Sequence, residues 1–317
     1  MTSVEVRSCD DSLPTCCPGV QGFVSMKRTN PSSERLVGVA YLVVTSAGWG
    51  VNWPAMKVLL REWPPLFARG IAGVAAAAIL ALVAWRIGES LRLPSGIGRR
   101  LVVASFLNVF AWMGFTTLSL NWLTAGQGAL LVYTMPIWAM LFAWPIRGRR
   151  PGARDVAGLV LSVAGIAMLF GGSVALGMDR LPGVLFALGA AILFALGTIV
   201  VKPLPLPPFA AVTWQLVFGC VPMVVLGVAL EHPRIDALSA RGAVLMTYMT
   251  IVPMGVCYLT WFAALRRLPG EQASMVTLLT PVIGVIAAAI ALGEPFGARQ
   301  VAALVLVVGG LAFVLRK

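Results

Sequence analysis

The residues of this chain that could best bind a ligand or take part in chemistry are polar, charged and aromatic side chains within long apolar runs. Amide, hydroxyl and indole groups in an apolar setting are typical of a cavity that holds a small molecule. Lys57 and Arg69 add positive charge at one end of two neighbouring runs, which favours the anionic part of a ligand; the alternative for Arg69 is snorkelling to lipid headgroups. We predict that six residues bind substrate: Asn52, Lys57, Arg69, Trp112, Trp138 and Ser274.

Catalytic and metal chemistry are poorly represented. The chain has a single histidine, His232, and no glycine-rich loop followed by Lys-Ser or Lys-Thr. Without a usable histidine there is no nucleophile, base and orienting group, so we predict no enzyme activity, no catalytic residue and no cofactor. The five cysteines lack metal-ligand spacing, which predicts no metal site; they are Cys9, Cys16, Cys17, Cys220 and Cys257.

The acidic residues lie in the N-terminal tail or near the ends of apolar runs. Carriers coupled to protons or sodium commonly place a carboxylate at membrane depth. The pattern therefore favours facilitated exchange or efflux down a substrate gradient.

The composition predicts an integral membrane protein. Hydrophobic residues make up 59% of the chain and charged residues 11%, against about 25% charged in soluble domains. The net charge of +12 lies in short loops between apolar runs, without the basic, aromatic surface of a nucleic-acid binder. The expected partners are the lipid bilayer and a small-molecule substrate, with no nucleic acid; a homo-oligomer is left open.

The sequence contains one unit twice. Residues 152–168 (GARDVAGLVLSVAGIAM) match residues 297–313 (GARQVAALVLVVGGLAF) without a gap, and the same offset of 145 carries Pro136 onto Pro281. Ten apolar runs are each long enough for a spanning helix of about 20 residues. Since each unit has an odd number of spans, five, the second unit enters the membrane from the opposite face. We predict an all-α fold of ten transmembrane helices in two inverted five-helix repeats.

Three segments follow from this division: a cytoplasmic disordered tail at 1–35, a first repeat at 36–173 and a second at 182–317. Most Lys and Arg residues fall in the loops on the side of the termini, so both termini are predicted to be cytoplasmic. Met1 and Met26 are both candidate start sites.

Two further groups of residues carry expectations. Pro136 and Pro281 lie within spans, where each removes one helical hydrogen bond, and their repeat symmetry favours hinges over static kinks. Tryptophans near span ends are typical of anchors at the headgroups; these are Trp53, Trp63, Trp122 and Trp144.

Over residues 36–317, the chain resembles EamA-type members of the drug/metabolite transporter superfamily. The matching residues are Trp49-Gly50 through Lys57, Arg69, residues 134–136 (TMP), Gly197 through Lys202, Ala273-Ser274, residues 280–282 (TPV) and residues 292–295 (LGEP). The first repeat departs from the pattern, with Gly148-Arg149 where the second has Gly293-Glu294. Glu294 is therefore expected to structure a loop at the outer surface.

The resemblance implies a secondary transporter that exports small polar metabolites, most often amino acids or related compounds, by alternating access. It also implies a multi-pass protein of the plasma membrane, the inner membrane of a bacterium. Two alternatives stay open: a carrier for metabolite uptake, and a lipid flippase or non-transporting membrane subunit.

Overall fold

In a computed structural model of the protein, residues 31–148, 150–169, 178–268, 273 and 276–315 are described. This part of the chain is helical throughout, apart from turns, and contains no strand. Its main helices are α1 (Pro31–Leu59), α2 (Pro65–Arg86), α3 (Gly98–Ser119), α4 (Ala125–Arg147), α5 (Ala153–Leu169), α6 (Leu181–Val200), α7 (Pro208–Glu231), α8 (Ala240–Leu265), α9 (Leu279–Leu292) and α10 (Ala298–Leu315).

Seven of the described helices are long and apolar enough to cross a bilayer: α1 to α4 and α6 to α8. The other three, α5, α9 and α10, have 17, 14 and 18 described residues. Helices α5 and α10 directly border residues outside the described ranges, and α9 is separated from such residues by 276–278. The chain is thus a multi-pass membrane protein with at least seven candidate spans among its described residues.

The helices pack with an internal two-fold pattern. The principal pairs are α1 with α8 and α9, α6 with α3 and α4, α2 with α7, and α5 with α10. If each helix of the first five is exchanged with its counterpart five helices later, α1–α8 becomes α6–α3 and α1–α9 becomes α6–α4. The pairs α2–α7 and α5–α10 map onto themselves. The sequence repeat is therefore also a repeat of helix packing.

Contacts between helix ends show the direction of each repeat. Glu231 at the end of α7 bonds the start of α2, and Glu294 beyond α9 bonds the start of α4. At the opposite end of the bundle, Glu89 beyond α2 bonds the start of α7, and Arg147 at the end of α4 bonds the carbonyl of Ile199 in α6. Helices α1 and α6 consequently begin at opposite ends, as an inverted arrangement requires.

The seam between α5 and α10 depends on two equivalent glycines. A methyl group on Gly165 would lie 2.9 Å from the carbonyl oxygen of Ala303, and one on Gly310 would lie 2.5 Å from that of Gly158. Gly310 is the counterpart of Gly165 in the repeat, and Ala303 is the counterpart of Gly158. Small residues let two helix backbones approach closely in a membrane, where dispersion contacts drive association.

The ends of α4 and α9 also match. Each terminates at a glycine in the left-handed conformation, Gly148 at φ 69° and Gly293 at φ 65°. Glycine adopts this conformation without the steric cost that a Cβ brings. The Gly148 and Gly293 positions therefore end the fourth helix of each repeat in the same way.

The structure modifies two expectations from the sequence. Residues 31–35, assigned above to the tail, belong to α1, whose start carries Glu34 paired with Arg267 at 3.0 Å. The helical ladder is interrupted at 133–134 and at 277–278, just before Pro136 and Pro281. Each proline thus lies in the first turn of a new helical segment, where its missing N–H would be unpaired in any case.

Candidate functional site

A cavity of about 170 Å³ lies in the centre of the bundle. Helices of both repeats enclose it: α1 to α4 from the first, α6 and α8 from the second. A single water needs about 10–15 Å³, so the space accommodates a small organic molecule. Its lining residues are Trp49, Asn52, Trp53, Met56, Arg69, Asn108, Trp112, Met113, Thr116, Tyr133, Met135, Phe194, Pro253, Met254 and Tyr258.

Four polar side chains of the cavity wall have buried atoms without a hydrogen-bond partner among the described residues. They are Nε and Nη1 of Arg69, Oδ1 of Asn52, Oδ1 of Asn108 and Oγ1 of Thr116. Arg69 is 7% exposed and Asn52 is 8% exposed. Buried polar atoms are normally paired, and each unpaired one costs about 1–3 kcal/mol. A bound ligand would relieve this cost.

Aromatic rings form most of the remaining wall and hold one another in place. Trp112 and Phe194 lie 4.5 Å apart between ring centroids, Trp49 and Tyr258 lie 6.0 Å apart, and the Trp49 indole donates to the carbonyl of Pro253 at 2.9 Å. The ordered rings present flat apolar faces to the cavity. Such faces suit a planar or apolar ligand group.

The backbone around the cavity is irregular in two equivalent helices. Residues Phe106–Phe115 of α3 and Val252–Val256 of α8 are π-helical. Single π-helical turns inside α-helices often occur at functional sites. Trp112 and Met254, which belong to these segments, both line the cavity.

Among the residues that the structure describes, no acidic side chain lines the cavity. Four of the described glutamates instead accept hydrogen bonds at the starts of other helices, where backbone N–H groups are unpaired and the helix dipole favours negative charge. Glu231 binds Leu66 and Phe67, Glu89 binds Phe209 and Ala210, Glu294 binds Ala125 and Gly126, and Glu62 binds Ser239. Arg69 is thus the one charged group at the cavity among the residues that the structure describes.

The residues proposed from sequence separate into three groups. Asn52, Arg69 and Trp112 line the cavity together. Lys57 does not: its ammonium donates to the carbonyl of Leu120 and, at 2.9 Å, to that of Leu123, where α3 ends. Trp138 also lies outside the lining, and its indole donates to the hydroxyl of Thr134 at 3.2 Å. Ser274 falls outside the described residues.

The tryptophans expected at the headgroups also divide. Trp122 and Trp144 are 38% and 52% exposed, as an interfacial position allows, whereas Trp53 and Trp63 are 4% and 7% exposed. Trp63 packs on Phe67 with centroids 5.0 Å apart, and Trp53 lines the cavity. The anchor interpretation is therefore wrong for Trp53 and Trp63, because both side chains are buried inside the protein, Trp53 on α1 and Trp63 in the turn between α1 and α2.

Several lining residues were not selected from sequence, although helical spacing could have found them. Trp49, Asn52, Trp53 and Met56 recur at the three- and four-residue steps of one helix face. Asn108, Trp112 and Thr116 follow four-residue steps along α3 in the same way. A face rich in amide and aromatic groups inside an apolar span is the signal that these two runs share.

The fold and the cavity are those of a multi-pass membrane protein with a small central cavity. Comparison with known protein families identifies the family of this membrane protein. The model of the EamA-like transporter family matches residues 36–171 and 181–316. The chain belongs to this family, with two copies of its domain.

Relatives of known sequence carry transporter names. An uncharacterized transporter, YvbV of Bacillus subtilis, is 30% identical over 290 residues, which cover 90% of this chain and 92% of that protein. A probable amino-acid metabolite efflux pump of Salmonella typhimurium is 25% identical, covering 86% of this chain and 92% of the pump. A solved protein structure shares the fold with a TM-score of 0.62 at 18% identity, over 90% of this chain and 98% of that one.

Proposed function

We propose that this protein is a secondary transporter that moves small polar metabolites, amino acids or related compounds, out of the cell by alternating access. The observation that carries the proposal is the central cavity, whose wall combines buried unpaired polar atoms of Arg69 and Asn52 with aromatic faces. Export of amino-acid metabolites is the role named for the Salmonella typhimurium and Escherichia coli relatives, each 25% identical to this chain.

The proposed architecture is ten spans, with both termini in the cytoplasm of a bacterial cell. The inverted packing of α1 to α5 against α6 to α10 supports it, since two inverted units can exchange conformations and open a shared site to either face. The Lys and Arg bias of the loops supports the orientation. The breaks before Pro136 and Pro281 supply equivalent bending points in α4 and α9.

Energy coupling by a cavity carboxylate has no support among the described residues, since their carboxylates lie away from the cavity lining. We therefore propose that transport follows the substrate gradient. Under this mechanism a pH gradient across the membrane leaves the initial rate unchanged for a substrate whose charge is constant.

The test is transport by purified protein in liposomes loaded with labelled amino acids, hydroxy acids and N-acylated amino acids, with and without a pH gradient. We expect protein-dependent release of at least one compound and loss of that release in Arg69→Ala. A flippase would instead move fluorescent lipid between leaflets while the loaded compounds stay inside. That outcome would replace the transporter proposal.

A further inference from the structure

The sign of the charge in the cavity restricts its ligand. A guanidinium stays protonated at any physiological pH. Arg69 is buried, with Nε and Nη1 unpaired among the described residues, and no ion pair joins it to a described carboxylate. A ligand carboxylate can accept charge-assisted hydrogen bonds from these N–H groups. A ligand with one carboxylate therefore completes the pairing that the protein leaves open.

A ligand ammonium finds no matching anion at the cavity among the described side chains. The described glutamates that form hydrogen bonds do so with helix starts or, for Glu34, with Arg267. An ammonium placed in the cavity would lose its hydration without gaining an ion pair, which is costly in a site of low dielectric. A zwitterion would also leave the net positive charge of Arg69 in place.

The remaining polar atoms suit a neutral partner. Oδ1 of Asn52 and Oδ1 of Asn108 are hydrogen-bond acceptors, and the hydroxyl of Thr116 can donate or accept. A hydroxyl or amide N–H next to the carboxylate can bond these groups without adding charge. The faces of Trp112 and Trp49 then accommodate a planar apolar group.

Resting on the proposed function, we infer that the cavity selects net-negative organic acids, each with one carboxylate, a neutral hydrogen-bond donor beside it and a planar apolar group. Within the compounds of the proposed function, hydroxy acids and N-acylated amino acids fit this description, and free amino acids and amines are expected to bind more weakly. Arg69 binds the carboxylate, Asn52 binds the neutral donor, and the aromatic wall covers the apolar group.

The probes are three compounds with one hydrocarbon frame: phenyllactate, phenylalanine and phenethylamine. Their binding to purified full-length protein is measured by isothermal titration calorimetry at neutral pH. Arg69→Gln removes the cavity charge at similar size, and Arg61→Gln removes an exposed charge from the adjacent loop as the matched control. Size-exclusion profiles show that each variant is folded.

We expect phenyllactate to bind at least about tenfold more tightly than the other two, because an unpaired buried charge costs at least as much as a lost hydrogen bond. The preference should disappear in Arg69→Gln and persist in Arg61→Gln. Equal or tighter binding of phenylalanine or phenethylamine overturns the inference, and so does an undiminished preference in Arg69→Gln or the absence of binding by all three to folded wild-type protein.

The aromatic wall makes this comparison informative, since ring faces also attract ammonium groups. If liposomes release zwitterionic amino acids while calorimetry shows no preference for phenyllactate, the transporter proposal stands and the charge inference fails. If phenyllactate binds through Arg69 but no compound crosses the membrane, the cavity assignment stands and the transporter proposal fails.

Discussion

Glu89 and Glu231 occupy reciprocal positions in the pair formed by α2 and α7. Glu231, at the end of α7, accepts from the backbone N–H groups of Leu66 and Phe67, while Glu89, beyond the end of α2, accepts from those of Phe209 and Ala210. Each repeat thus caps a helix of the other, at opposite ends of the bundle. The α2–α7 pair is held at both ends by the same chemistry.

The reciprocal caps predict matched losses of stability. Glu231→Ala and Glu89→Ala should each lower the free energy of unfolding by about 1–2 kcal/mol, since each removes a charged acceptor from a helix start. Thermal unfolding in detergent measures this, with the exposed Asp236→Ala as control. A loss in only one of the two glutamate variants would contradict the reciprocal arrangement.

Glu62 predicts a dependence of stability on pH. The hydroxyl of Ser239, which donates to it at 2.7 Å, and the Ser239 backbone N–H lower the pKa of Glu62. A lowered pKa gives stability that is complete above the unfolded value of about 4.3 and is lost as pH falls through the folded pKa. The melting temperature of wild type should therefore exceed that of Glu62→Gln at neutral pH, and the difference should shrink in acid. A difference that stays constant with pH would exclude this linkage.

The α5–α10 seam predicts opposite results at two adjacent glycines. Gly310→Ala should destabilise the protein by roughly 1–3 kcal/mol, because the new methyl group meets the Gly158 carbonyl. A methyl group on Gly309 meets nothing within 4 Å, so Gly309→Ala should be neutral or stabilise the helix by up to about 1 kcal/mol. Equal effects in unfolding experiments would show that α5 and α10 are not in close contact.

Lys57 and Arg69 should respond differently to mutation. Lys57→Met removes donors to the carbonyls at the end of α3 and should lower the free energy of unfolding by about 1 kcal/mol while phenyllactate binding is retained.

Arg69→Ala should abolish transport with normal membrane abundance, and Arg69→Lys should restore only part of the transport because the planar guanidinium is lost. Normal transport by Arg69→Ala would remove Arg69 from the site.

Much of the scaffold follows from the sequence, because the repeat constrains it. The offset that joins Pro136 to Pro281 also joins Gly148 to Gly293 and Gly165 to Gly310, and each pair has matching local structure. These positions can be recognised even in apolar sequence of low complexity, because few other residues can replace glycine or proline at a helix end or a close helix contact.

The cavity is less predictable, because its polar groups do not follow the repeat. The counterpart of Asn52 is Gly197, and the counterpart of Arg69 is Trp214. The position of Lys57 depends on where the end of α3 lies relative to α1, a tertiary relationship that no local pattern encodes. The π-helical segments of α3 and α8 likewise result from packing, since no residue type specifies them.

Alternating access requires that one cavity opens to both faces of the membrane, and sided labelling of a cysteine at Asn52 tests this requirement without knowledge of the substrate. Asn52→Cys is made after the five native cysteines are replaced by alanine, and a membrane-impermeant thiol reagent is added to right-side-out and inverted vesicles. Ser162→Cys, which is fully buried in α5, is the control. We expect labelling of Asn52→Cys from both faces and none of Ser162→Cys. Labelling of Asn52→Cys from one face only, or from neither, would rule out alternating access through this cavity.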